Sequence, residues 1–177
     1  EHKYGKYKAD YIRSNELRAY LNSTRTAGTH DLIHFSYDDK EDVFDSHSYN
    51  KGGLVLHMLR NYVGEEAFRE ILNVFLKENA LQAVEAHHLR LAAEKVTGKD
   101  LNWFFNQWYF DKGHPELQID HDYSDGKYTI QIEQKQDPNI HAAIFILPLA
   151  VDIYLKDGSI ERKQIKINQR EQSFIFD

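Results

Sequence analysis

The chain contains no cysteine, which excludes disulfides and thiolate chemistry and fits a periplasmic, extracellular or cytoplasmic setting equally well. It has no apolar run near the roughly 18 to 20 residues that a membrane helix needs. Its opening, Glu1-His2-Lys3-Tyr4-Gly5-Lys6, has no apolar signal-peptide core. Basic residues are in deficit, with 22 Lys and Arg against 28 Asp and Glu and a formal net charge of -6. Nonspecific nucleic-acid affinity comes from clustered Lys and Arg, so no nucleic-acid partner is expected. There is no phosphate-cradling glycine loop, nucleophile elbow or EF-hand spacing, and no internal repeat or low-complexity tract. What remains is the composition of a folded protein: 41% hydrophobic, 28% charged and 13% aromatic over 177 residues. That length supports one large domain or two small ones, each with its own core.

Hydrophobic periodicity divides the chain. Helical spacing predicts helices over about residues 6–23, 47–63, 65–79 and 86–97, with a shorter one near 100–111. Gly64 and Gly98 stop the second and fourth, Asp100 is placed to cap the last, and Leu101, Phe104, Phe105 and Trp108 form one aromatic face to bury. Gly113 is expected to cap that helix and Pro115 to prevent its continuation. From Glu116 the pattern alternates. Leu117, Ile119 and His121 are expected on one face, followed by Tyr128, Ile130 and Ile132. Asp125-Gly126 and Asp157-Gly158 are hairpin signals between alternating runs. With a last strand near Ser173–Phe176, at least five strands make a small antiparallel sandwich. The expected class is therefore α + β, with a helical domain over residues 1–114 and an antiparallel β-sandwich over residues 115–177.

The segment Phe44-Asp45-Ser46-His47-Ser48-Tyr49-Asn50-Lys51-Gly52-Gly53, running into Leu54-Val55-Leu56, resembles the Ser/Thr-Tyr-x-Lys-Gly-small sequence of the aminopeptidase N-like zinc metallopeptidases, which are gluzincins. The resemblance continues in the same order through Gly64-Glu65-Glu66-Ala67-Phe68, then Thr97-Gly98-Lys99-Asp100-Leu101-Asn102-Trp103-Phe104-Phe105-Asn106-Gln107-Trp108, then Gly113-His114-Pro115. It implies the C-terminal half of a thermolysin-like catalytic domain followed by a β-sandwich, with peptides bearing a free N-terminus as substrates. It implies that Tyr49 points its phenol at the scissile carbonyl, and a phenol with a pKa near about 10 can donate there at neutral pH. Lys51, Gly52 and Gly53 are read as structural, the glycines allowing close backbone approach. The family's His-Glu-x-x-His helix and distal glutamate are missing. The resemblance therefore places the zinc ligands of the parent enzyme upstream of Glu1, with no zinc expected on this chain and no activity from it alone. A catalytic domain divided in this way would expose cleft surface through which the chain could self-associate.

Several other groups draw attention. His30-Asp31-Leu32-Ile33-His34 has the i, i+4 histidine spacing of a zinc helix. Its flanks read as loop, an aspartate replaces the glutamate base, and the third-ligand position, after eighteen intervening residues beyond His34, is Gly53. The resemblance puts this segment in a loop lining the substrate cleft. His87 and His88 point about 100° apart on a helix, poor geometry for one metal. Asp38, Asp39, Glu41, Asp42 and Asp45 read as a solvated acidic loop that would attract a substrate's amino terminus if it lay near the cleft. Asn22-Ser23-Thr24 is a glycosylation sequon. Two classes of function stay open: part of a zinc aminopeptidase, or a non-catalytic protein-interaction module built on the same fold.

Overall fold

Gly5 opens the first helix and Phe176 ends the last strand in the computed structural model, which describes residues 1–177 and divides into two compact units, Glu1–Lys112 and Gly113–Asp177. The helical unit contains α1 (Gly5–Ala27), a 3₁₀ turn (Lys40–Val43), a π-helical turn (His47–Lys51), α2 (Gly52–Val63), α3 (Glu65–Glu78), α4 (Ala86–Thr97) and α5 (Asn102–Tyr109). Gly64 at φ 92° and Gly98 in the left-handed region at φ 66° stand at the predicted breaks, where a side chain would be strained. No helix is long and apolar enough to cross a membrane.

The predicted aromatic face of α5 is buried. Leu101, Phe104, Phe105 and Trp108 are inside, together with Leu59 of α2, Ile71 of α3 and Ala93 of α4. Phe105 also stacks on Tyr109, with ring centroids 4.7 Å apart. Asp100 accepts from the Asn102 N–H at 2.9 Å, which satisfies one of the donors that a helix start leaves free. Gly113 does not cap this helix, which already ends at Tyr109. Its φ of +86° serves the β unit instead, because a Cβ on Gly113 would lie 2.2 Å from Nδ1 of His141.

The β unit holds β1 (Leu117–Ser124), β2 (Lys127–Gln134), β3 (Leu147–Tyr154), β4 (Ile160–Ile167) and β5 (Glu171–Phe176). They form an antiparallel sheet ordered β1-β2-β5 and an antiparallel pair β3-β4. Ser124 faces Lys127 across Asp125 and Gly126, both at positive φ, as a two-residue Asp-Gly hairpin requires. Ile130 and Ile132 of β2 and Ile165 and Ile167 of β4 are buried, as period-two alternation demands. Ile119 and His121 of β1 do not share that burial, because β1 pairs only with β2 and lies at the edge of its sheet.

Two glutamines organise the interior of this unit, and both are completely buried. Gln134 accepts from the Phe145 N–H at 2.8 Å and from Gln136 at 3.0 Å, and donates to the carbonyls of Phe145 at 2.9 Å and Gln169 at 3.2 Å. One side chain thus satisfies the backbone of two loops. Each buried polar group left unpaired costs about 1–3 kcal/mol. We therefore predict that Gln134→Leu, which orphans several such groups, destabilises the β unit by at least about 3 kcal/mol. Native-state hydrogen exchange at the Ile132 and Ile165 amides checks this, with unchanged protection as the contrary result.

Candidate functional site

The π-helical turn is the local irregularity that places Tyr49. The Ser46 carbonyl accepts from both the Asn50 and Lys51 N–H groups, at 3.1 and 3.0 Å, so the first turn is wider than an α-helical one. Such bulges occur often at functional sites. Residues on either side of Tyr49 point inward: His47 is 1% exposed and Lys51 4%, while Tyr49 itself is 62% exposed. Asn50 donates to the Glu16 carboxylate and ties the turn to α1. The His47 ring sits edge-on to Tyr20 of α1, 5.3 Å between centroids. Phe44 is the aromatic neighbour of Tyr49, at 6.1 Å and a tilt of 36°.

Beneath this turn lies Asp45, which the acidic pattern assigned to a solvated run. Its Oδ1 accepts from the Ser48 N–H at 2.8 Å, and its Oδ2 faces His47 Nδ1 at 3.0 Å and His30 Nε2 at 2.8 Å. Burial alone would raise its carboxyl, but the Ser48 and His30 hydrogen bonds and the nearby imidazoles outweigh that and hold it below the usual carboxylate range. Asp39 and Asp42 of the same run behave otherwise, capping the exposed 3₁₀ turn. His47 is pushed down by burial and by the neighbouring His30, against the pull of Asp45. Its Nδ1 faces a carboxylate and its Nε2 faces the His30 N–H at 3.5 Å, which fits the neutral ring with the proton on Nδ1.

The structure brings His30, His34 and His47 together although only the first two were paired by spacing. His30 lies 3.8 Å from the His47 ring and 4.5 Å from that of His34. The stretch carrying His30 and His34 is loop, as its flanks predicted, and it is held to the end of α5 through an Asp31–Lys112 bridge and an Ile33 N–H bond to the Tyr109 carbonyl. Thr29, His30 and Asp31 line one wall of a cleft of about 300 Å³, and Phe110, Asp111 and Lys112 line the other. His30 faces the Asp31 carbonyl through Nδ1 and Asp45 through Nε2. Both partners only accept, so the two bonds coexist when each ring nitrogen carries a proton. His30, Asp31 and His34, and likewise His30, Asp45 and His47, have ligand-type atoms close enough to surround an ion. They do not fit the gluzincin set, since the histidines share no helix and Gly53 has no side chain for the third position.

Lys51 is inside but unmatched, its Nζ without a hydrogen-bond partner in the chain. Burial pushes it down to about 8, against the pull of Asp31 and Asp111; the Tyr20 ring centroid lies 6.0 Å away. Close approach explains neither following glycine: a Cβ on Gly52 would make ordinary contact with Leu32 at 3.5 Å, and one on Gly53 would meet open space. The paired histidines of α4 serve its start, His88 Nδ1 accepting from the Glu85 N–H at 3.0 Å.

Between about pH 8 and 10.5 an unfolded Lys51 holds a proton that the folded one has released, so its burial penalty is full below pH 8 and fades as pH rises. Lys51→Met should therefore stabilise the helical unit at pH 7 by up to roughly 3 kcal/mol, and the gain should shrink toward pH 10. Thermal melts of the two proteins across that range check the sign. A destabilised variant at pH 7, or a gap constant with pH, contradicts it.

Residues 2–108 match the Peptidase family M1 domain. Tricorn protease-interacting factor F2 of Thermoplasma volcanium is 34% identical over 116 residues, covering 64% of this chain and 15% of that protein. Glutamyl aminopeptidase of Bitis rhinoceros is 26% identical over 152 residues, covering 85% of this chain and 16% of that protein. The crystal structure of Legionella pneumophila aminopeptidase A in complex with aspartic acid superimposes with a TM-score of 0.66 at 22% identity, over 92% of this chain and 20% of that one. The chain thus spans about one sixth of the length of these two curated relatives.

Proposed function

The chain belongs to peptidase family M1, and from that premise we propose that it forms part of a zinc aminopeptidase, removing N-terminal residues from peptides and contributing the transition-state tyrosine and part of the substrate cleft. Residues 1–114 are read as the second half of a thermolysin-like catalytic domain and 115–177 as a β-sandwich domain. The zinc ligands are assigned to other parts of a longer polypeptide, because no group of this chain fits that set. The 177 residues alone are expected to be inactive.

The observation that carries the proposal is an exposed phenol on an immobilised backbone. Tyr49 offers its hydroxyl outward while the residues on both sides are buried or bonded. As a nucleophile attacks a peptide carbonyl, negative charge builds on the carbonyl oxygen. A donor already fixed in place stabilises that charge without reorganising during the reaction, and loss of one such donor costs about 10²–10³ in rate. The π turn supplies the fixing and Tyr49 the donor. In favour of the other reading, a non-catalytic interaction module, stands the name of the Thermoplasma relative, Tricorn protease-interacting factor F2.

The enzyme reading predicts that Tyr49→Phe, made in the complete polypeptide carrying these residues, lowers kcat on an aminoacyl p-nitroanilide by about 10²–10³ with KM little changed. A kcat within about threefold of the parent sinks the assignment of Tyr49; a parent with no turnover at all favours the interaction module.

A further inference from the structure

We propose that Asp45 is a positioning residue for Tyr49, acting through the shape of the π turn. The inference rests on the reading of Tyr49 as the oxyanion donor and extends it one step back into the fold. Four bonds converge on this one aspartate. Its backbone carbonyl accepts from the N–H of Tyr49 itself at 3.1 Å. Its Oδ1 caps the Ser48 N–H, and its Oδ2 holds the rings of His47 and His30. The residue before Tyr49, the residue two before it, and Tyr49's own amide are thus tied to a single side chain and its backbone.

The direction of the constraint follows from burial. His47 is enclosed between the stacked His30 and the perpendicular ring of Tyr20, so it cannot follow the turn outward. Tyr49, on the opposite side of the same turn, has its ring in solvent beside Phe44. A turn clamped on its inner side and free on its outer side has one soft coordinate, the placement of the Tyr49 phenol. Widening the turn displaces that hydroxyl before it disturbs the helices behind it. A misplacement of about 1 Å at a reacting group costs up to about a hundredfold in rate.

Asp45→Asn tests this, since the amide keeps one acceptor for Ser48 and turns a donor or an uncharged oxygen toward the two rings. In the complete polypeptide the variant is expected to lower kcat by roughly tenfold to a hundredfold with KM within about twofold. Because Asp45 acts only through Tyr49, the same change in the Tyr49→Phe background should cost less than about threefold. Equal losses in both backgrounds would assign Asp45 a general structural role and overturn the proposal, as would an unchanged kcat. If Tyr49→Phe alone leaves kcat intact, the assignment of Tyr49 fails, and Asp45 with it. Should Asp45→Asn fail to fold by circular dichroism, His30→Gln, which removes one of the ring donors and leaves the Ser48 cap, is put through the same cycle with the same criteria.

Discussion

The Asp45 carboxylate accepts from donors on two stretches of chain and ties them together: the loop carrying His30 and the turn carrying Ser48 and His47. Hydrogen bonds to an ionised acceptor are about twice as strong as neutral ones. Here the carboxylate and its His30 partner are only about a quarter exposed, so solvent competes less. The arrangement decides which faces of residues 45–51 are inside. His47 and Lys51 go in, Tyr49 goes out, and the π spacing lets the inward pair flank the outward residue while α2 continues from Gly52.

That choice has an energetic consequence at Lys51. The turn that presents Tyr49 also carries an ammonium into a region where only an aromatic face and two aspartates without direct hydrogen bonds balance it. A chain selected for stability alone would place an apolar residue there. Local departures of this kind, a π turn and a buried unmatched charge within five residues, gather where a fold serves a site. The β unit uses its buried polar groups differently. Gln134 and Gln136 are fully hydrogen-bonded and fix loops rather than present anything to solvent.

Regular structure was legible wherever the pattern was periodic. Five helices form where periodicity placed them, with breaks at Gly64 and Gly98 and the aromatic stripe of residues 101–108 on the last, and both Asp-Gly hairpins form. The family was legible through ordered motifs, which the match over residues 2–108 supports, and the same motifs are the source of the role proposed for Tyr49. What was not legible depends on contacts between distant residues. Asp45 looks like the end of an acidic run because Asp38, Asp39, Glu41 and Asp42 precede it, yet only Asp45 meets two histidines. The spacing of His30 and His34 drew attention to a metal helix, while the closer ring partner of His30 is His47, seventeen residues on. Gly113 stands where a helix cap would, but its missing side chain makes room for His141 in the other unit's own packing. A Gln-x-Gln pair on a strand gives no sign in sequence that it will be buried, since the reason is the backbone of two loops folding over it.

One carboxylate holds the turn beneath an exposed tyrosine, and amide hydrogen exchange reads that hold on this chain directly. The Ser48, Tyr49 and Lys51 amides are expected to be protected despite the exposure of Tyr49, and Asp45→Ala to abolish their protection while amides within α3 and α4 keep theirs. Protection of the turn that survives Asp45→Ala would contradict it.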